Sequence, residues 1–240
     1  MTPQDFLKAG KLNEAIGALA EELRRDPANL KARTFLFELL CFSGEYDRAE
    51  KHLDVLAQAG PQSEMGAALY RGLLHGMRTR QDVYTKAKAQ DPASDNSKPA
   101  PSGSLNGAPF GEIVDADPRI GANLEVLAAG AYLKIPFSLL ASIEIGAPRR
   151  LRDTLWIPAV IHAAPGFQDR DLGETYLPAL TPFAARHPSS DVRLGRETVW
   201  EESDDGEMQP IGQKLLLVNG EEIPILEVRQ LEFAPAPPTP

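Results

Sequence analysis

One pattern occurs twice near the start of the chain, and it constrains the fold more than any other feature. Gly10-Lys11-Leu12-Asn13-Glu14-Ala15 is answered by Gly44-Glu45-Tyr46-Asp47-Arg48-Ala49. Gly10 and Gly44, Ala15 and Ala49, Leu19 and Leu53, and Pro27 and Pro61 are each 34 residues apart. A glycine ends one helix in a tight turn, an alanine lets two helices approach closely, and a bulky residue fills the next layer. Proline then stops the second helix. A period of about 34 with these residues in these places is the tetratricopeptide signature of paired antiparallel helices. Such arrays hold partners.

The individual helices follow from their punctuation. Thr2-Pro3 supplies a hydroxyl cap and a proline at the first helical position, so a short helix should run to Gly10. Leu12, Ala15, Ile16, Leu19, Ala20 and Leu23 form one apolar stripe. The next helix, with Phe35, Leu36, Phe37, Leu39, Leu40, Cys41 and Phe42, has almost no polar face and should be covered on more than one side. Tyr46, Ala49, Leu53, Leu56 and Ala57 make the stripe of a fourth. Met65, Ala68, Leu69, Leu73 and Leu74 begin a third, less regular repeat, whose period is lost beyond Gln81. An array this short needs something else to cover its end.

From Gln90 to Pro109 the composition turns to Pro, Ser, Asn, Gly and Ala, which reads as a linker. Short β-like runs follow, at Glu112–Val114, Ala131–Ile135, Ser142–Ile145, Thr154–Ile161, Thr175–Leu177 and Thr198–Glu201. Lys214–Val218 and Glu221–Leu226 flank Asn219-Gly220, a strong hairpin signal, and Val228–Phe233 alternates as a last strand. Leu124, Val126, Leu127 and Ala128 predict one helix, started near Asp117-Pro118. The expected fold class is α+β: tetratricopeptide-like repeats, then a small antiparallel β domain, a partly open sheet or a barrel, with one or two short helices. The expected division is 1–89 repeats, 90–109 linker, 110–233 β domain and 234–240 disordered tail. The open apolar face of Leu69, Leu73 and Leu74 predicts that the β half covers it, through Leu124–Ala128 or the strand around Trp156.

Charge and cysteine content narrow the function. A net charge of −9 argues against nucleic acid or an anionic membrane as main partner. A single cysteine, Cys41, excludes an internal disulfide. The start, Met1-Thr2-Pro3-Gln4-Asp5, lacks the basic region and apolar run of a signal peptide, and no stretch is long and apolar enough to span a bilayer. A cytoplasmic location is expected.

Candidate chemistry is sparse. Asp115 and Asp117, with Glu112 nearby, are two apart and share a face in a strand, as a metal or acid–base pair requires, but Asp-Ala-Asp-Pro is also good turn and helix-cap chemistry, and capping is the favoured reading. His52, His75, His162 and His187 have no metal-ligand spacing. No phosphate loop, nucleophile elbow or zinc pattern is present, so no metal or cofactor is expected. Glu201, Glu202, Asp204, Asp205 and Glu207 read as a solvated loop between strands or a lure for a basic partner. Trp156 reads as core, and Trp200 as either core or a binding aromatic.

Laid out in this way, the chain resembles the ImpE/TagJ (SciE-type) accessory family of bacterial type VI secretion systems. The resemblance is carried by Ala9–Ala15, Arg33–Leu40 and Ala49–Leu56 in the first half. In the second half it is carried by Asp115-Ala116-Asp117-Pro118-Arg119-Ile120-Gly121, Ile135-Pro136-Phe137, Ser142-Ile143-Glu144, Leu151-Arg152-Asp153-Thr154-Leu155-Trp156-Ile157-Pro158-Ala159 and Pro224–Phe233. Asp115, Asp117, Arg119, Arg152, Asp153 and Trp156 are thus family-motif residues. The stretch from Thr181 to Ser190 departs from the family's form, and the linker stands where a longer helical segment is usual.

The resemblance implies a non-enzymatic accessory protein that binds a short helix of the small sheath subunit and is associated with the AAA+ ATPase that disassembles contracted sheath. Tetratricopeptide arrays present the first helix of each pair on a concave face, which here offers Lys31, Thr34, Glu38 and Phe42 to a peptide helix. Two other readings stand beside it: an enzyme sited at Asp115 and Asp117 with Arg152 as an anion contact, and a general interaction scaffold unrelated to secretion.

Overall fold

A computed structural model describes residues 1–86, 102–164, 172, 175–203 and 206–234. Five helices come first: Pro3–Lys8 (α1), Leu12–Arg25 (α2), Leu30–Phe42 (α3), Tyr46–Ala57 (α4) and Pro61–Lys86 (α5). Thr2 Oγ1 accepts from the amide of Asp5, and Asp5 Oδ2 accepts in return from the amide of Thr2, so α1 starts as its sequence demands. Gly10 and Gly44 stand at φ +69° and +71°. Each lets the next amide reach back to the final helical turn, Lys11 to the Phe6 carbonyl and Glu45 to that of Leu40, both at 2.9 Å. The 34-residue repeat is therefore also a repeat of one hydrogen bond. Leu12, Ala15, Ile16, Leu19 and Leu23 are buried along α2, while Leu36, Phe37 and Leu39–Phe42 leave α3 enclosed on several sides.

The third repeat differs from its expected form. Instead of a short helix whose period fades, α5 is one helix of 26 residues. Its second half buries Leu73, Leu74, Gly76, Met77, Arg80 and Tyr84 at helical spacing, against a sheet where a second helix of the pair would lie.

The strands are Gly103–Leu105 (β1), Ala108–Phe110 (β2), Ile113–Asp115 (β3), Asn123–Ala128 (β4), Ala131–Pro136 (β5), Leu140–Ile145 (β6), Trp156–Ala163 (β7), Thr175–Pro178 (β8), Thr198–Glu202 (β9), Met208–Gly212 (β10), Leu215–Val218 (β11), Glu221–Pro224 (β12) and Gln230–Phe233 (β13). A four-residue helix, Ser190–Arg193 (α6), precedes β9. Eight strands form one open antiparallel sheet in the order β2-β1-β13-β6-β7-β8-β4-β5. A three-stranded sheet (β12-β11-β3) and the two-stranded ribbon β9-β10 complete the half. The antiparallel expectation holds, as an open sheet.

Two sequence expectations fail here. Leu124–Ala128 is no helix but β4, interior to the sheet between β8 and β5. Its apolar run is too short to distinguish a strand buried on both faces from a helix. The turn that follows, Ala129-Gly130 at φ +48° and +79°, closes a two-residue hairpin onto β5. The expected linker also shrinks: residues 90–101 lie outside the described residues, but 103–110 form β1 and β2 around Asn106-Gly107, both at positive φ. β1 pairs with β13, so the two ends of the β half lie side by side. Of the expected tail, 234–240, Ala234 is held by its amide, which donates to the Ser102 carbonyl at 2.8 Å, and 235–240 lie outside the described residues.

The sheet has two apolar faces. On β4, Leu124, Val126 and Ala128 join a core closed by β3, β11 and β13, whereas Leu127 turns to the helices. On β7, Ile157 and Ala159 take the first side and Trp156 the second. Strand alternation thus divides neighbouring residues between two cores. The helix-side core runs without interruption from α2–α5 through Leu127, Leu155, Trp156, Leu180, Val192 and Ile211. The expected cover over Leu73 and Leu74 is the β half, reached through β4 and the strand of Trp156.

Candidate functional site

The repeat offset shows what the first-helix face is doing. Lys31 and Met65, Thr34 and Ala68, Glu38 and Gly72, and Phe42 and Gly76 are each 34 residues apart, so they occupy equivalent places on α3 and α5. The later positions of this face are covered by the β half. Arg152 Nη1 reaches Glu38 Oε1 at 3.2 Å, and its guanidinium lies 5.4 Å from the Tyr70 ring centre. Phe37, Tyr70 and Trp156 form an aromatic triangle with centroids 5.5, 6.4 and 5.8 Å apart. A methyl at Gly72 would lie 3.4 Å from Gly130 Cα, and one at Gly76 2.7 Å from Leu127 Cδ2. Glycines in a helix interior cost stability, and here they let the β4–β5 hairpin approach the backbone of α5.

The earlier positions stay open. Lys31 is exposed, Met65 is 76% exposed and Leu30 42%. Thr34 is half-buried, its Oγ1 donating to the Leu30 carbonyl at 2.9 Å. Of the four residues expected to meet a partner, the structure therefore leaves Lys31 and Thr34 at the surface. Phe42 is fully buried and Glu38 is engaged by Arg152. Sequence position alone puts all four on one helix face, and only the docked β half divides that face.

At the other end of the joint lies a sealed group of charges. Glu125 of β4 receives Arg80 Nε and Nη2 at 2.8 and 2.6 Å, Lys214 Nζ at 2.6 Å, and the hydroxyls of Tyr84 and Tyr132 at 3.0 and 2.7 Å. Lys214 also meets Asp115 Oδ2 at 2.6 Å. Two cations and two carboxylates balance, all nearly inaccessible. Burial alone would raise the Glu125 carboxyl, but Arg80 and Lys214 outweigh it and hold it well below the usual range. Asp115 is pushed up to about 6 by burial, aided by the Glu125 charge and opposed by Lys214. Burial would lower Lys214, yet Asp115 and Glu125 keep it raised.

The aspartates expected as turn formers or as an acid–base pair serve the turn. Asp115 Oδ1 accepts from the amide of Asp117 at 2.9 Å, and Asp117 Oδ1 from that of Arg119 at 3.0 Å, without a helix following. Arg119 adds Nε and Nη2 to the two Asp117 oxygens at 2.8 and 2.6 Å. Asp153 accepts the amides of Arg149 and Arg150 at 2.9 and 3.0 Å and so shapes the loop that carries Arg152. Among the described residues no three His, Cys, Asp or Glu side chains gather as a metal site. One narrow cavity at the joint, beside Tyr46, Met77, Arg80 and Thr181, measures about 20 Å³, room for a water, and an open cleft of about 700 Å³ lies between Gly72, His75 and Thr79 of α5 and the turn at residues 129–132. Arg80, Glu125 and Lys214 were not singled out in the sequence. Charged residues inside otherwise apolar runs, such as Glu125 between Leu124 and Val126, are the signal that marks them.

A second contact ties the repeat turns to residues 185–196 of the β half. Leu12 N donates to Ser190 Oγ at 3.4 Å, Arg193 Nη1 to Asn13 Oδ1 at 3.0 Å, and Arg196 Nη2 to the Leu7 carbonyl at 2.7 Å. A methyl on Gly10 would meet Asp191 at 2.8 Å, and one on Gly44 would meet Ala185 Cβ at 3.0 Å. Both repeat glycines therefore accommodate the β half as well as ending a helix.

A tetratricopeptide array whose first-helix face is partly filled by its own β half, with Glu38 and Arg80 paired across that joint, defines a protein of the helical-repeat class. The tetratricopeptide repeat model matches residues 6–73, and the model described as ImpE protein matches residues 107–232. The chain belongs to the ImpE family. It is 30% identical to the type VI secretion system accessory component TagJ of Pseudomonas aeruginosa, over 98% of this chain and 92% of that one. The crystal structure of a Vibrio parahaemolyticus protein shares the fold, with a TM-score of 0.84 at 22% identity, covering 98% of each chain.

Proposed function

We propose that this protein is a non-enzymatic cytoplasmic adaptor of a type VI secretion system, which holds a helical segment of the small contractile-sheath subunit and modulates sheath assembly or its disassembly by the AAA+ ATPase. Membership of the ImpE family and the likeness to an accessory component of that system support the setting. The observation that carries the binding role is the divided repeat face. Its later half is filled by the β domain, and its earlier half leaves Leu30, Lys31, Thr34, Met65 and Ala68 open. An amphipathic helix laid there would cover the Leu30 and Met65 side chains and set its polar side toward Lys31. No helix among the described residues is long and apolar enough to cross a membrane.

Co-purification with the cognate small sheath subunit tests this reading. Met65→Asp and Lys31→Glu should each weaken the complex by about ten-fold while leaving the melting temperature unchanged. Absence of any complex at micromolar concentration, with both proteins folded, rules the sheath assignment out.

A further inference from the structure

The β9–β10 ribbon is the part of the molecule that the scaffold reading leaves unused. It is a sheet of two strands, and neither outer edge is continued by another strand among the described residues. Its register sets Trp200 opposite Pro210, Glu201 opposite Gln209 and Glu202 opposite Met208. Residues two apart share a face. Val199 and Ile211 point to the body, where Ile211 is buried and Val199 packs on the helix-side core. Glu201 is on the same side and meets His187 Nε2 at 3.2 Å.

The opposite face looks out. Pro210, opposite Trp200 on this face, is buried, and the open part carries Trp200, 37% exposed, Met208, 51% exposed, and Glu202 beside Met208. Glu207 is exposed at the turn, and neither it nor Glu202 forms an ion pair among the described residues. An indole and a thioether on an open sheet face, bordered by unpaired carboxylates, are poorly placed for stability. Exposed apolar area is wasted, and the carboxylates repel each other. Trp and Met are enriched at the centres of protein interfaces.

We infer that the outer face of this ribbon is a second docking surface, and that its occupant is an extended cationic segment of a partner protein that presents Lys or Arg and aliphatic residues together on one face. Aliphatic side chains cover Trp200 and Met208, and the cations pair with Glu202 and Glu207. A second copy of this chain is the less complementary occupant, because its net charge of −9 would bring like charges together. This surface is separate from the repeat face and does not depend on the sheath assignment.

Tryptophan fluorescence of the full chain provides the test, because the chain has two tryptophans and Trp156 is buried, leaving Trp200 to respond. The probe is a short synthetic Lys–Val peptide of Lys-Ser-Val-Ser repeats, which when extended presents Lys and Val on one face, with the Glu–Val peptide of Glu-Ser-Val-Ser repeats as control. Saturable binding with a blue shift is expected for the Lys–Val peptide only, weakening as salt is raised. Trp200→Ala, followed by anisotropy of labelled peptide, and the double variant Glu202→Lys/Glu207→Lys should each weaken it by about ten-fold or more with unchanged melting temperature. Met65→Asp on the repeat face should bind the peptide as the parent does. Absence of saturable binding, or equal binding by Trp200→Ala, overturns the inference. So does a dimer of the full chain that Trp200→Ala dissolves, since a second copy would then be the occupant.

Discussion

Arg80 of α5 and Glu125 of β4 form a two-point ion pair across the joint, at 2.8 and 2.6 Å, with side-chain exposures of 3% and 0%. Burying two charges costs several kcal/mol each before pairing, so such a contact adds little net stability and strongly penalises misalignment. Glu125 also gathers Lys214, Tyr84 and Tyr132, so one carboxylate fixes α5, β4, β5 and the start of β11 in a single arrangement. The apolar core supplies the attraction between the halves, and this pair specifies how they dock.

Removing one partner should therefore be worse than removing both. Glu125→Ala leaves Arg80 and Lys214 with Asp115 as the remaining carboxylate of the group and should cost about 3–5 kcal/mol in urea unfolding. The double variant Arg80→Met/Glu125→Leu keeps the Lys214–Asp115 pair and should lose less than Glu125→Ala alone.

Asp115 should give stability a slope in mild acid. Its carboxyl titrates at about 6 in the folded state against an ordinary 3.8, so between those values the folded protein retains a proton that the unfolded chain has released. Its contribution is complete below the unfolded value and is lost as pH rises through the folded one, by about 3 kcal/mol in all. Glu125 acts in the opposite sense: its stabilisation is present above 4.5 and is lost as pH falls toward its depressed folded value. Unfolding free energies measured from pH 4 to 7 should fall more steeply with rising pH in the parent than in Asp115→Asn.

Two helix glycines should respond oppositely to alanine. Gly17 is exposed on α2 with nothing within 4 Å of an added methyl, so Gly17→Ala should stabilise by about 1 kcal/mol. At Gly76 the methyl meets Leu127 Cδ2 at 2.7 Å and the Ala131 carbonyl at 3.5 Å, in a core where Leu127 is 1% exposed. Gly76→Ala should cost about 1–3 kcal/mol, since the hairpin must shift to admit it. Thermal melts of the two variants side by side decide this.

Residues 1–89 expressed alone should self-associate or melt well below the full chain. Without the β half, the Leu74, Met77, Tyr70 and Phe37 side chains lose cover, at about 1.5–3 kcal/mol for each fully buried one. Sedimentation and calorimetry of the fragment give the readout, and a monomer with the parent's melting temperature would contradict a shared core.

Much of the helical half is legible because its information is local. Gly10, Gly44 and the Leu12–Leu23 stripe act within a turn or two of themselves, and the spacing at which they recur is the spacing of the helices. Asn219-Gly220 signals a hairpin and forms one, because a two-residue turn with positive φ depends on those two residues. Asn106-Gly107 carries the same signal. It was lost in a stretch whose composition resembled a linker, yet its turn at φ +50° and +84° joins β1 to β2.

The repeats, the antiparallel character of the second half and the family are legible without any tertiary contact. Periodicity, turn chemistry and motif order are properties of neighbouring residues. The tertiary contacts set that Leu124–Ala128 is a strand, that α5 continues to Lys86, and that Phe42 is buried and Glu38 engaged by Arg152 while Lys31 is exposed and Thr34 half-buried. Each depends on a contact between residues distant in sequence: β4 on β8, Gly76 on Leu127, Glu38 on Arg152. A residue's own neighbours fix which conformations it can adopt, and the burial available from the far half of the chain selects among them.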